Sequence, residues 1–503
     1  MNQSIDKTSF TATIAAIFLV SVPLILSPQV GAELLQTMYQ WIATQFGVLY
    51  IAAGCGAILF LLYLAFSRFG HIMLGEPGEK PEFSTYSWMG MLFCAGVGAG
   101  LMYWASIEWA YYYQSPPFGV EAKSVEAAKW ASSYGVFHWG VTAWAFYCIP
   151  TLAIAYPFYV KKIPYLRFSL SCHYFLKGNE NGPVARFIDF LFMIALVGGT
   201  GSSLGFSTPL VAALISRLTG IENGFGLELF VVGICVMLFS ASVFMGIRKG
   251  IKRLSDFNVA LAILIVAFIL VAGPTLFLLK TSLNVFGTVA QNFIQMNTWT
   301  DPFTESGFVE DWTVFYWAWW IAYGPFVGLF VTRISRGRTI REVIFGMLGY
   351  GTLGAAIFYL SMGNYALFQQ MSGSVDVIGI LTTQDGNLAI IASLNTLPIA
   401  EIVIAAFCVV CIIFTATTYD SASYILASNA TLNLHPSEDP ARWHRTFWAG
   451  AIAILPLTLM YIGGLKVAQT AVLIVSLPIL FVGFAMCYAL IASLKSDYPA
   501  PVD

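Results

Sequence analysis

Two short runs hold most of the residues in this 503-residue chain that could recognise a ligand. One is Phe137-His138-Trp139-Gly140-Val141-Thr142-Ala143-Trp144-Ala145-Phe146-Tyr147, and the other is Tyr316-Trp317-Ala318-Trp319-Trp320-Ile321-Ala322-Tyr323. Indole and phenol faces are electron-rich, so several of them arranged as a box hold a methylated cation that cannot donate ordinary hydrogen bonds. Tryptophan is also the usual anchor at a membrane interface, which accounts well for Trp104, Trp109 and Trp130. Trp317, Trp319 and Trp320 crowd one helix depth, which fits a ligand box better than an interfacial belt. Both readings stay open on spacing alone.

A second group of residues suits a small cation. Gly96, Gly98 and Gly100, preceded by Cys94-Ala95, weaken helix geometry in a stretch where backbone groups would have no water partner. Such a break is tolerated beside a cavity, where unwound carbonyls coordinate a cation and half-helix amides face a carboxylate. Gly96 and Gly100, four apart, fit close helix packing equally well. Further on, Phe414-Thr415-Ala416-Thr417-Thr418-Tyr419-Asp420-Ser421-Ala422-Ser423 offers the Thr417 and Thr418 hydroxyls to an oxygen cage. The same hydroxyls can instead back-bond to carbonyls one turn earlier. Asp420 is ionisable near a span end, a functional flag by default and also a natural partner for local amides. Arg333-Ile334-Ser335-Arg336-Gly337-Arg338-Thr339-Ile340-Arg341 reads as a cytoplasmic loop with phosphate or lipid headgroup contacts. Cys408 and Cys411 have a redox-like spacing but lie in an apolar run, where packing is the expected use. The histidines at 71, 138, 173, 435 and 444 make no pair at metal-ligand spacing, which weighs against a membrane metalloenzyme.

The elements that carry these residues must lie in lipid. Hydrophobic residues make up 58% of the chain and charged residues 10%, where a soluble domain carries roughly 25% charge. A net charge of -2 argues against a nucleic-acid partner. Stretches able to cross roughly 30 Å of hydrocarbon fall at 10–27, 46–66, 86–110, 132–159, 187–215, 228–247, 256–279, 313–333, 343–367, 397–426, 447–464 and 467–493. With both termini and every even-to-odd loop on one side, the 24 Lys and Arg divide 19 to 5. Lys123, Lys129, Arg217, Lys280 and Lys466 form the minority. Because cytoplasmic loops collect basic residues, both termini are expected in the cytoplasm. The first stretch has only Lys7 before it and no convincing cleavage site after Leu26, so it counts as a span and not a signal peptide. Thr281–Trp299 alternates apolar and polar residues and reads as an amphipathic surface helix, with an ordinary loop as the alternative.

Together these residues resemble the betaine/choline/carnitine transporter family. The resemblance covers nearly the whole chain, most specifically at Gly96–Gly100, Phe137–Tyr147, Phe315–Trp320, Arg333–Arg338 and Asp420–Ser423. It implies an all-α membrane protein of 12 transmembrane helices: two inverted five-helix repeats (LeuT-like), preceded by two extra helices and assembled as a homotrimer. The expected layout is a tail with two peripheral spans (1–85), a first repeat (86–280), an amphipathic helix and loop (281–312), a second repeat (313–493) and a short tail (494–503). The resemblance places Trp139, Trp144, Tyr147, Trp319, Trp320 and Tyr323 in a central box, and Trp317 in a second, more cytoplasmic cluster on the exit path. A sodium site maps to the carbonyls of Cys94, Val97 and Phe414 and the hydroxyls of Thr417 and Thr418, beside the unwound Gly96, Gly98 and Gly100. A second family ion site departs from the pattern, with Thr200 present but Leu196 at the other place.

The implied activity is uptake of an onium compound of the glycine betaine, carnitine, choline or dimethylsulfoniopropionate class by alternating access, with Na+ as coupling ion and no other cofactor. The implied setting is the inner membrane of a bacterium, among lipids. The stretch from Glu82 to Tyr112 and Ser115–Gly119 look closest to the sodium-independent carnitine/γ-butyrobetaine exchangers, which lack the glycine-rich break. Those exchangers resemble this chain around Lys252 but carry an arginine whose charge fills the ion site. Lys252 could snorkel to the same place, or lie solvated in a cytoplasmic loop. A membrane enzyme for the same ligands would need a nucleophile and base, or a metal set, near the box, and none is visible. Family members that sense osmotic stress carry long charged termini, whereas the tails here are about ten residues each. Raising external osmolality around proteoliposomes is therefore expected to leave transport little changed; a several-fold rise would contradict this.

Overall fold

The computed structural model describes residues 4–95, 98–245, 248–432, 434, 438–462 and 465–499, without the side chains of 239, 241–245, 248–253, 465–466 and 468. The described chain is almost entirely helical. The main helices are α1 (Lys7–Leu26), α2 (Pro28–Phe66), α3 (Thr85–Ala95), α4 (Ala99–Gln114), α5 (Val125–His138) and α6 (Val141–Ala155). Next come α7 (Pro183–Thr219), α8 (Phe225–Met245), α9 (Arg248–Ala272) and α10 (Thr275–Thr298). The second half contains α11 (Val309–Ile334), α12 (Ile340–Ser372), α13 (Val377–Thr383), α14 (Gly386–Leu394), α15 (Ala400–Asn429), α16 (Arg442–Ile462) and α17 (Leu465–Asp497). Among the described residues, ten stretches are long and apolar enough to cross a membrane, or eleven when α3 and α4, bent by 62°, count as one broken span. Among the described residues each of the twelve apolar stretches read from the sequence is largely helical, but α8 carries a shorter apolar segment, Phe225–Leu238.

Burial sorts the helices. Only 28% of the apolar window of α1 is buried, against 89% in the stretch through α5 and α6 and 83% in α11. The aromatic runs therefore lie on the innermost elements, and α11 packs along α6. Two boundaries differ from hydropathy alone. Helix α2 starts at Pro28, well before the apolar stretch at 46–66, because a proline at the first turn suits helix entry and nothing breaks the polar segment after it. The expected seventh span splits at Gly273-Pro274, since Pro274 has no N–H to continue the ladder, and α10 runs unbroken to Thr298.

The arginine-rich loop after α11 is used largely inside the protein. Arg338 is buried, with its guanidinium 4.0 Å over the Trp88 ring, and Arg341 Nε donates to the Ala65 carbonyl (2.7 Å). Arg336 pairs with Glu79 (2.8 Å). Backbone bonds from Leu74 to Arg338 (2.8 Å) and from Ile340 to Ile72 (2.9 Å) tie this loop to the connection after α2.

A buried ion pair closes the same end of the bundle. Arg167 lies 2.7 Å from Asp189 on α7, which also accepts from the Ser169 amide (2.9 Å) and hydroxyl (3.0 Å). Removing one partner of such a pair leaves an uncompensated buried charge. Arg167→Ala is expected to destabilise the detergent-solubilised protein by about 3 kcal/mol, read as a lowered thermal unfolding midpoint.

Candidate functional site

The backbone breaks where the aromatic run begins. α5 ends at His138 and α6 starts at Val141, with Trp139 and Gly140 between them in non-helical conformations. The last carbonyls of a helix lack intrahelical partners. The His138 carbonyl accepts the Trp320 indole N–H across the helix interface at 2.8 Å. This bond joins the two sequence runs and fixes the Trp320 ring.

The rings then assemble face to face and edge to face. Trp319 and Trp320 stack at 5.3 Å and 5°. Trp139 stands edge-on to both, at 5.9 Å and 4.7 Å. Tyr147 meets Trp320 at 5.8 Å and Trp144 at 5.4 Å, both nearly perpendicular. The Trp144 ring lies so close to Gly351 of α12 that a Cβ there would overlap it.

These rings line a cavity of about 780 Å³ together with Tyr323. Cys94, Gly98, Gly100, Phe414, Thr417 and Thr418 line the same cavity, so the broken third span and α15 face the aromatic wall. A Cβ on Gly100 would sit 3.4 Å from the Trp319 ring and 3.2 Å from Ser203 Oγ. The Thr417 and Thr418 hydroxyls both donate to the Phe414 carbonyl, at 3.0 Å and 2.8 Å. Their lone pairs remain able to accept a cation, whereas the Phe414 carbonyl would first have to shed those donors. Gly96 and Val97 lie outside the described residues, as does the side chain of Lys252 on α9. Trp317 is fully buried and does not line the cavity; it packs against Phe137 (5.5 Å), His138 (5.7 Å) and Phe146 (5.8 Å). Cys408 and Cys411 are buried free thiols.

The cavity runs from the box to a charged cluster on the side of the basic loops. There Asp420 pairs with Arg445 (2.9 Å), and the guanidiniums of Arg333 and Arg445 both lie over the Tyr424 ring, at 5.4 Å and 5.1 Å from its centre. On the far side is a separate vestibule of about 910 Å³ lined by Tyr103, Tyr111, Phe206, Trp312, Glu228, Asp311 and Asp385 among others. Phe206 lines the vestibule, Trp319 lines the cavity, and their rings are 5.9 Å apart. A pair of rings stands between the two spaces at that point.

Behind the box lies a carboxylate that the reading of motifs passed over. Glu108, in α4, is fully buried. It accepts the hydroxyls of Tyr112, of Tyr316 (2.5 Å) on α11 and of Tyr359 on α12. An acidic residue inside an apolar span, with a tyrosine one turn on, was the available signal; Tyr316 and Tyr359 are distant in sequence and gave none.

The family described as BCCT, betaine/carnitine/choline family transporter, matches residues 8–499. The chain is 38% identical over 439 residues to an uncharacterized transporter, YeaV, of Escherichia coli strain K12, covering 87% of this chain and 91% of that protein. It is 33% identical to a carnitine transporter of Acinetobacter baumannii, over 98% of this chain and 90% of that one. It is 34% identical to the glycine betaine transporter OpuD of Bacillus subtilis strain 168, over 94% and 91%.

The close approach at Gly351 is open to a direct test. Gly351→Ala is expected to cost about 1–3 kcal/mol in thermal stability as Trp144 is displaced. Gly349→Ala, where a Cβ meets nothing within 4 Å, is expected to cost nothing.

Proposed function

The chain belongs to the betaine/carnitine/choline transporter family, and from that membership we propose that it takes up a zwitterionic quaternary-ammonium or sulfonium compound by sodium-coupled alternating access. It is a multi-pass membrane transporter and not an enzyme. The observation that carries the substrate reading is the lining of one cavity by six aromatic side chains, from the α5–α6 break, α6 and α11, with Trp319 and Trp320 parallel. Such faces attract a methylated cation at roughly 0.5–2 kcal/mol each, and they do so without a hydrogen bond.

The wider arrangement follows the family. The helices are read as twelve spans, two inverted five-helix repeats after two peripheral spans, with both termini cytoplasmic and three copies assembled. In that orientation the cavity leads from the box toward the cytoplasm, past Asp420, Arg445 and Arg333, and the vestibule faces outward. Sodium would be cargo held between the broken third span and α15, by Cys94, Val97, Phe414, Thr417 and Thr418. The convergence of Cys94, Phe414, Thr417 and Thr418 on the cavity that holds the box supports this.

A second reading rests on the likeness of Glu82–Tyr112 to the carnitine exchangers and on Lys252: a sodium-independent exchanger whose lysine fills the ion site. The two differ sharply in electrostatics, since a lysine and a sodium ion a few ångströms apart would repel by several kcal/mol at intermediate dielectric.

Uptake of labelled glycine betaine and carnitine into proteoliposomes, with and without a sodium gradient, separates them. Sodium-driven accumulation is expected, with Thr418→Ala raising the sodium concentration needed and Lys252→Ala leaving it nearly unchanged. Full transport without sodium, together with new sodium dependence in Lys252→Ala, would establish the exchanger instead. In tryptophan-quenching titrations, Trp320→Leu is expected to weaken onium binding by about 1–3 kcal/mol; unchanged binding would remove the box.

A further inference from the structure

The Glu108 cluster is built with unusual completeness for a site inside a membrane. A buried carboxylate is costly unless its oxygens are satisfied. Here Tyr112 donates to Oε1, and Tyr316 and Tyr359 donate to Oε2. His138 stands next to it, its Nδ1 3.8 Å from Oε1 with the Tyr112 hydroxyl between them. Tyr112 has one hydroxyl proton and gives it to Glu108, so at 2.8 Å His138 Nδ1 is the donor to the Tyr112 oxygen. His138 Nε2 meets the Thr313 hydroxyl at 3.1 Å.

The phenols that hold this carboxylate are also the backing of the aromatic wall. The Tyr316 ring lies nearly parallel to Trp319 (6.2 Å, 25°) and Trp320 (5.7 Å, 22°), and Tyr359 contacts Trp139 at 5.9 Å. Gly135 leaves the space the Tyr359 ring occupies, since a Cβ there would overlap it. A phenol that donates to an ionised group is polarised along the bond, and in a low-dielectric interior the charge behind it acts over several ångströms.

Resting on the onium reading of the box, we propose that Glu108 is the buried counter-charge of that site: a positioning residue that acts through Tyr316 and Tyr359 to favour a ligand head bearing permanent positive charge. A purely structural knot would hold α4, α5, α11 and α12 together and affect all ligands alike. A counter-charge affects charged heads selectively.

The test compares glycine betaine with 3,3-dimethylbutyrate, which has the same shape and carboxylate but a neutral quaternary carbon in place of nitrogen. Affinities of the full-length purified protein are measured for both by tryptophan quenching. Glu108→Gln is expected to reduce the betaine-to-dimethylbutyrate affinity ratio by about tenfold or more, with dimethylbutyrate binding itself nearly unchanged. A folded Glu108→Gln variant that keeps the wild-type ratio, or that weakens both ligands equally, overturns the proposal and leaves the box intact. Wild-type protein that does not prefer betaine overturns the box reading itself, and the counter-charge with it. If Glu108→Gln does not fold, Tyr359→Phe decides: loss of one donor is expected to lower the ratio by about threefold, and an unchanged ratio overturns the proposal.

Discussion

A carbonyl that loses its amide partner inside a bilayer has no water to turn to. At the interruption between α5 and α6 this falls on His138, and the indole N–H of Trp320 supplies the missing donor. Leaving that oxygen unpaired would cost about 1–3 kcal/mol, so the bond holds α11 in one register against the broken span. Trp320 then sets Trp319 by stacking, and both lie over Tyr316, which reaches Glu108. The interrupted backbone, the aromatic wall and the buried acid are thus one connected structure. A slide of α11 along α6 would be felt at all three.

Much of this wall was legible in the sequence, because tryptophans adjacent in a helix already fix their common depth. Trp139, Trp144, Tyr147, Trp319, Trp320 and Tyr323 all reach one cavity, as do Thr417 and Thr418 from a distant helix. What spacing could not reveal is convergence from unrelated elements. Tyr112 is four residues on in the same helix, but Tyr316 and Tyr359 come to Glu108 from two other helices, and no local pattern distinguishes those two from the chain's other tyrosines. The arginine-rich loop shows a different limit: charge alone makes Arg338 a solvent or headgroup contact, yet its flat guanidinium finds the Trp88 face and is buried there. Hydropathy likewise marks where α2 is apolar and not where its helix begins.

Helix α12 shows how large side chains reach so tight an interior. A Cβ on Gly346 would overlap Trp88, one on Gly351 would overlap Trp144, and one on Gly354 would strike the Phe93 carbonyl. The helix therefore presents notches that receive rings from α3 and α6. Interlocked surfaces of this kind resist gradual deformation and move, if at all, as a unit.

The contact between Phe206 and Trp319 has a consequence for insulation. At that place the bilayer's electrical barrier narrows to a pair of side chains, with water-accessible space on either side. Any opening between the two compartments at this place has to displace these rings. Trp319 is held by parallel neighbours, Phe315 at 5.5 Å and Trp320 at 5.3 Å, so its rotation requires unstacking both. At this point the partition between the two spaces is held by stacked π faces.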